Sequence, residues 1–334
     1  MTRETQPKSG RHEVTLKRCR ARVRGVVQGV GFRPFVYRLA LEERLAGFIG
    51  NDTGGVSIEI QGPPAQIESF LLRLRAEAPA LARIDSIDVH EIAVASLDPS
   101  AEAGFRIVAS QARGHVATGI PADAATCPDC LRELFSPADR RYRYPFLNCT
   151  NCGPRFTITR RIPYDRPQTS MAQFKMCAAC QAEYDDPANR RFHAQPNACW
   201  DCGPRVWLEE PANASVHNDA ALKGHAGTLW VSSALQVPNK KEGALAPGEQ
   251  DPIARTIDLL LDGQILAIKG IGGFHLCVDA ANEAAVMRLR QRKRRYGKPL
   301  AIMVRDLSAA RSLCALSAED EALLAGVARP IVLA

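Results

Sequence analysis

The sequence contains no apolar run approaching the roughly 20 residues that a membrane-spanning helix needs. Its opening, MTRETQPKSGRHE, has no apolar h-region, so that stretch does not read as a secretory signal. Both absences lead to the expectation of a cytoplasmic protein that contacts no membrane. The most basic stretch, 288–298, has no interleaved aromatics beyond Tyr296, which weighs against nucleic acid as a partner. The net charge of +7 over 334 residues is modest, and a phosphorylated small molecule satisfies it as well as a polynucleotide does. What remains is ordinary: 46% apolar and 24% charged residues, enough for two or three soluble globular domains.

Cysteine is the exception. Eight of the 11 cysteines form four C-x-x-C pairs: Cys127/Cys130, Cys149/Cys152, Cys177/Cys180 and Cys199/Cys202. Each half reads C-x2-C-x18-C-x2-C, and the second half repeats the first 50 residues later. The repeat carries flanking residues with it, since Cys152-Gly153-Pro154-Arg155 returns as Cys202-Gly203-Pro204-Arg205. A fixed period with shared flanks marks a duplicated unit. Zinc takes four thiolates in a tetrahedron, and two intervening residues let a tight turn aim both sulfurs at one ion. Four thiolates leave no open position, so two structural zinc ions are expected, replacing a core that so short a unit cannot build. A reducing compartment disfavours disulfides. An iron–sulfur cluster is a further option. Sequential pairing is favoured over interleaving, but spacing alone leaves both open. Cys19, Cys277 and Cys314 read as small buried apolar residues.

Ahead of the cysteines, residues 1–112 show mixed periodicity. A strand over 16–24 leads into the glycine-rich loop Gly25-Val26-Val27-Gln28-Gly29-Val30-Gly31-Phe32-Arg33. Phe35, Val36, Leu39 and Ala40 then mark a helix face, and Asn51-Asp52-Thr53-Gly54-Gly55 marks a hairpin turn. Val56, Ile58 and Ile60 alternate with Ser57, Glu59 and Gln61 as in a half-buried strand. Ile67, Phe70, Leu71 and Leu74 give a second helix, followed by strands near 84–94 and 104–108. The order βαββαβ is the ferredoxin-like split βαβ. Glycines let backbone N–H groups converge on an anion before a helix N-terminus, and the Arg33 fork suits phosphate oxygens. Taken singly, Arg33 also fits a capping role and Asn51 a turn residue.

Residues 207–249 are polar apart from Trp230-Val231 and read as a linker or insertion. From 250 an α/β pattern begins: a helix over 253–261 stopped by Gly263, a strand over 265–268, a helix over 281–293 and a strand over 300–304. Seven Lys and Arg fall between Arg288 and Lys298. They fit a solvated helix face, a nucleic-acid patch or a polyphosphate pocket, and the flanking Lys269-Gly270-x-Gly272-Gly273 suits the third.

Three resemblances follow from these motifs. The run Arg24–Arg33 with Gly50-Asn51 and Gly54-Gly55-Val56 resembles the acylphosphatase signatures. That resemblance implies that Gln28, Gly29, Val30, Gly31 and Phe32 cradle a substrate phosphate, Arg33 binds it, and Asn51 orients the attacking water. Lys269-Gly270-x-Gly272-Gly273-Phe274-His275-Leu276 and Lys293-x-Arg295-x-x-Lys298-Pro299 resemble the YrdC-like fold. This implies a nucleotide site at Lys269, His275, Lys293, Arg295 and Lys298. Acylphosphatase-like domain (1–112), doubled four-cysteine module (120–206) and YrdC-like domain (250–334) is the order of the HypF carbamoyltransferases, so an α+β multidomain chain is expected. The family resemblance implies carbamoyl phosphate and ATP as substrates, a carbamoyl-adenylate intermediate, and transfer to the C-terminal cysteine of a HypE-type partner during [NiFe]-hydrogenase maturation. The segment Arg329–Ala334 ends inside what the family pattern makes a longer domain, which implies an N-terminal portion with an incomplete adenylation site. The competing reading is a zinc-dependent nucleic-acid- or protein-binding module with an inactive phosphatase-like unit.

Overall fold

A computed structural model describes residues 15–94, 104–111, 118–209, 229–232 and 251–334. The chain divides into two compact units, one holding 1–121 with 161–165, the other 122–160 with 166–334. No helix among the described residues is long and apolar enough to cross a membrane.

The first unit begins with β1 (Lys17–Val26), in which arginine alternates with small apolar residues. The period of two sends Cys19, Ala21 and Val23 inward and Arg18, Arg20, Arg22 and Arg24 to the other face. Helix α1 (Phe32–Glu42) buries Val36, Leu39 and Ala40. β2 (Ala46–Asp52) and β3 (Gly55–Gly62) form the hairpin expected at Asn51–Gly55, with Asp52 paired to Gly55 across two turn residues. The Asp52 carboxylate accepts the Gly54 N–H at 2.7 Å and fixes that turn. Helix α2 (Pro64–Ala76) buries Ile67, Phe70 and Leu74, and β4 (Arg83–Ile92) and β5 (Phe105–Ile107) follow.

The sheet order is β4-β1-β3-β2-β5. The first four strands and two helices make the ferredoxin-like βαββαβ arrangement, and β5 adds a fifth strand parallel to β2. One expectation needs correcting here. β3 is not half-buried, because Glu59 and Gln61 are buried as well as Ile58 and Ile60. Glu59 lies opposite Arg20 in register and takes hydrogen bonds from Arg18 at 2.6 Å and Arg20 at 2.8 Å. Arg22 pairs with Asp52 and Arg24 with Asp88. The arginine row of β1 thus meets local carboxylates.

The second unit opens with two similar knuckles, containing α3 (Pro128–Phe135) and α4 (Ala178–Asp185), each preceded directly by the first cysteine of its repeat, which makes no side-chain capping bond. A four-stranded sheet follows, β6 (Trp207–Glu209), β7 (Leu229–Ser232), β8 (Leu266–Gly270) and β9 (Gly273–Cys277), in that order. Two of its strands fall within the 207–249 stretch expected to be a linker. A strand of three or four residues leaves almost no periodic signal in a polar surrounding, and only pairing to β8 defines it. The rest of 207–249 lies outside the described residues. Helix α5 (Pro252–Leu261) starts at Asp251, which accepts the Ile253 N–H, and α6 (Glu283–Lys293) starts at Asn282, which accepts the Ala285 N–H. Neither 300–304 nor 329–334 forms a strand; Ile302, Met303 and Leu333 are exposed, and no described strand pairs with them. Apolar residues alone do not make a strand, whose backbone groups need a hydrogen-bonding neighbour. Two helices the sequence reading missed follow, α7 (Leu307–Leu313) and α8 (Ala318–Ala325). Their signal was present: Asp306 caps α7, and Ser317 with Asp320 makes a capping box for α8.

Candidate functional site

The loop after β1 narrows around Gln28. Its Nε2 donates to Asp52 O at 2.7 Å and Gly55 O at 2.8 Å, which ties the loop to the β2–β3 turn. Gly29 and Gly31 sit at φ 73° and 74°, left-handed positions that a side chain would strain. This backbone delivers Val30 and Phe32 to the core and Arg33 to the first turn of α1. Arg33 is 8% exposed. Its Nη2 donates to Asp165 Oδ1 at 2.8 Å and Tyr164 O at 3.3 Å, and its Nη1 lies 3.4 Å from Ser110 Oγ.

Asn51 ends up in the same neighbourhood through the chain that follows β5. Gln111 donates its N–H to Asn51 O at 2.9 Å, one residue from the Ser110 that meets Arg33. Asn51 is 2% exposed, and neither its side-chain Nδ2 nor Oδ1 has a hydrogen-bond partner among the described residues. A buried amide without partners costs about 1–3 kcal/mol, a cost a ligand or water can relieve. Asp165, Tyr164 and Ser110 were not anticipated. No periodicity or spacing links 161–165 to a loop more than a hundred residues earlier.

The cysteines gather as two sequential groups. Cys127, Cys130, Cys149 and Cys152 form one and Cys177, Cys180, Cys199 and Cys202 the other, with the sulfurs of each group within 4.8 Å of one another. All are free thiols, so interleaved pairing is ruled out by geometry. The donor set of four convergent sulfurs fits zinc. Within the first group, contacts with the Cys130 and Cys149 sulfurs lower the Cys152 thiol and, in the opposite sense, contacts with Cys149 and Cys152 raise the Cys130 thiol. Of the other three cysteines, only Cys19 is buried; Cys277 is half-buried and Cys314 exposed. Cys314 ends the short α7 at the surface, where cysteine's preference for burial has no core to act on.

The repeat extends beyond the cysteines. Arg140-Arg141 in the first knuckle corresponds to Arg190-Arg191 in the second, and Glu133 corresponds to Glu183. Each arginine pair reaches across to the other knuckle. Arg141, 1% exposed, donates to Glu183 Oε1 at 2.9 Å, and Arg140 pairs with the same carboxylate at 2.8 Å. Arg191 and Arg190 bind Glu133 in the same way. Arg140 also reaches Cys180 Sγ at 3.2 Å and Arg190 reaches Cys130 Sγ at 2.9 Å, placing positive charge beside each sulfur cluster. Burial opposes ionisation of Glu183, but hydrogen bonds and charge from Arg141, then Arg140, outweigh it and bring the carboxyl to about 2. The Arg of each C-G-P-R tail holds its own turn: Arg155 donates to Cys149 O at 2.9 Å and Cys152 O at 3.0 Å, and Arg205 to Trp200 O at 3.4 Å. At Gly203 a Cβ would stand 1.9 Å from Tyr144 Oη.

In the C-terminal part, Lys269 and His275 lie on the β8–β9 hairpin, with Lys269 opposite Phe274 and its Nζ 5.5 Å from that ring. Lys293 is the last residue of α6. The turn after it is folded on itself: Arg290 Nη1 donates to Arg295 O at 3.1 Å and Lys298 O at 2.9 Å, and Arg295 Nη2 to Pro299 O at 3.1 Å.

Comparison with known proteins matches this division. An acylphosphatase family model matches 19–107, a HypF finger model matches 126–159 and 176–209, and a Sua5/YciO/YrdC model described as telomere recombination matches 258–334. Carbamoyltransferase HypF2 of Cupriavidus necator is 50% identical over 328 residues, 98% of this chain and 36% of its own length. Over nearly its whole length the chain is similar to HypF carbamoyltransferases. A crystal structure of full-length HypF in the phosphate- and nucleotide-bound form superposes with a TM-score of 0.77 at 41% identity, covering 94% of this chain and 36% of that one. The acylphosphatase of Moorella thermoacetica is 40% identical over 98 residues, 29% of this chain and 99% of that enzyme. The chain therefore spans a little over a third of the length of its HypF relatives and nearly all of a free-standing acylphosphatase.

Proposed function

We propose that the first unit hydrolyses an acyl phosphate, and that its substrate is carbamoyl phosphate. The observation that carries this reading is the buried Asn51 amide, unpartnered among the described residues, beside a turn that Gln28 of the glycine-rich loop holds through the Asp52 and Gly55 carbonyls, with the Asn51 backbone carbonyl bonded by Gln111 next to the Ser110 that meets Arg33. Loop N–H groups and the Arg33 guanidinium hold the phosphoryl oxygens. The Asn51 amide accepts from and orients a water. That water attacks phosphorus, the bond from phosphorus to the bridging oxygen breaks, and carbamate leaves with the bonding pair. The protein's part is positioning and charge stabilisation.

The whole protein then acts as a carbamoyltransferase. Carbamate oxygen attacks the α-phosphorus of ATP, releasing pyrophosphate and giving a carbamoyl-adenylate at a nucleotide site involving Lys269, His275, Lys293, Arg295 and Lys298, and the carbamoyl group passes to the C-terminal cysteine thiol of a HypE-type partner with release of AMP. The two four-cysteine groups hold structural zinc. Support for this reading comes from the HypF relatives and from the three matched modules in the expected order. Phosphate release from carbamoyl phosphate by the purified chain tests it. Turnover should fall about a hundredfold or more in Arg33→Ala; turnover equal to wild type in that variant would remove the reading.

A further inference from the structure

The segment Arg161–Asp165 lies outside the acylphosphatase match and between the two finger matches, yet it belongs to the first compact unit. Two anchors hold it there. Gln28 Oε1 accepts the Tyr164 N–H at 2.9 Å, while the same side chain's Nε2 holds the β2–β3 turn. Asp165 Oδ1 and Tyr164 O both take the Nη2 corner of Arg33. One glutamine thus links segment, loop and turn.

We propose that Asp165 is a positioning residue for the acyl-phosphate site: it fixes the Arg33 guanidinium by one corner and leaves the rest of the fork to bind the substrate's phosphoryl group. The inference rests on the acyl-phosphate reading above. A free arginine side chain carries about 2 kcal/mol of rotamer entropy, which anchoring removes before the substrate arrives. The contact uses a single carboxylate oxygen, so it does not consume the fork as a bidentate pair would. Ser110 Oγ steadies the Nη1 side at 3.4 Å.

A carboxylate beside the binding cation also repels a phosphate dianion, and the two effects have opposite signs. Exposure decides between them. The Asp165 side chain is 23% exposed and the Arg33 side chain 9%. Water screens the long-range charge of Asp165 while leaving its hydrogen bond to the buried guanidinium intact. Positioning therefore outweighs repulsion.

The test uses the full zinc-loaded chain, with carbamoyl phosphate as substrate and inorganic phosphate as competitive inhibitor. Asp165→Ala should raise KM and the phosphate inhibition constant together by about tenfold, the effect of losing one charge-assisted hydrogen bond, with a smaller change in kcat. Asp165→Asn, which keeps an oxygen on Nη2, should stay nearer wild type. Unchanged zinc content and melting temperature show that the Ala variant is folded; if it is not, Asp165→Ser carries the same expectation. Phosphate that inhibits the folded variant as well as or better than it inhibits wild type overturns the proposal. The two readings fail separately. A wild-type chain that releases no phosphate sinks the acyl-phosphate reading, while calorimetric binding of inorganic phosphate still reports whether Asp165 sets Arg33.

Discussion

Asn51 and Arg33 differ in what the fold has already supplied. Arg33 has protein partners on both of its terminal nitrogens, whereas the Asn51 amide has none among the described residues. The two side chains therefore respond differently to substitution. Asn51→Val, which fits a buried strand end and leaves no unpaired amide, should abolish acyl phosphate hydrolysis while raising stability by about 1 kcal/mol. Activity and thermal unfolding measured on the same sample check this, and a variant that is both active and less stable would contradict it. The trade follows from a polar group kept in the core for chemistry rather than for folding.

At the scale of elements, the two knuckles hold each other through reciprocal arginine clamps. Arg141 is buried and leaves an uncompensated charge if its carboxylate is removed. Glu183→Gln should therefore destabilise the finger module by about 3 kcal/mol, and Glu133→Gln by a comparable amount, read as a shift in the denaturant midpoint. The pH dependence has a definite sign. Glu183 has its carboxyl lowered from 4.5 to about 2, so its stabilisation is complete above pH 4.5 and is lost as pH falls towards 2. The gap in stability between wild type and Glu183→Gln should be widest above pH 5 and should close through that window. Measuring the difference between the two proteins separates the clamp from protonation of the thiolates, which both share.

Across the whole molecule, the two sulfur clusters should carry two zinc ions per chain, counted by elemental analysis of the purified protein. Residues around them have small local cores, one centred on Tyr144, Leu147, Met171 and Phe174. Stripping the metal with a chelator should unfold the finger module cooperatively, seen as loss of amide-exchange protection over 122–209, because ligand binding and folding free energy are the same quantity there. Retained protection after complete metal loss would show that the apolar clusters suffice.

Some of this was legible in the chain. The βαββαβ order, the β2–β3 turn and the four C-x-x-C pairs follow from local periods and spacings, which the backbone converts directly into faces and turns, whereas the grouping of the pairs into two sequential sets came from the fold. The 50-residue repeat held more than the C-G-P-R tails, since Glu133 and Arg140-Arg141 recur as Glu183 and Arg190-Arg191. A repeat shows that residues correspond, however, and not that each pair crosses to the opposite copy. The strands at 207–209 and 229–232 and the missing strand at 300–304 were decided by pairing. The same holds for burial of Glu59 under the arginines of β1 and for Asp165 on Arg33, 132 residues away. Local sequence determined the helices and the longer strands of the first unit because hydrogen bonding and side-chain direction repeat along the backbone. Only the tertiary structure decided which charges meet, because a salt bridge depends on distance in space and leaves no period in the chain.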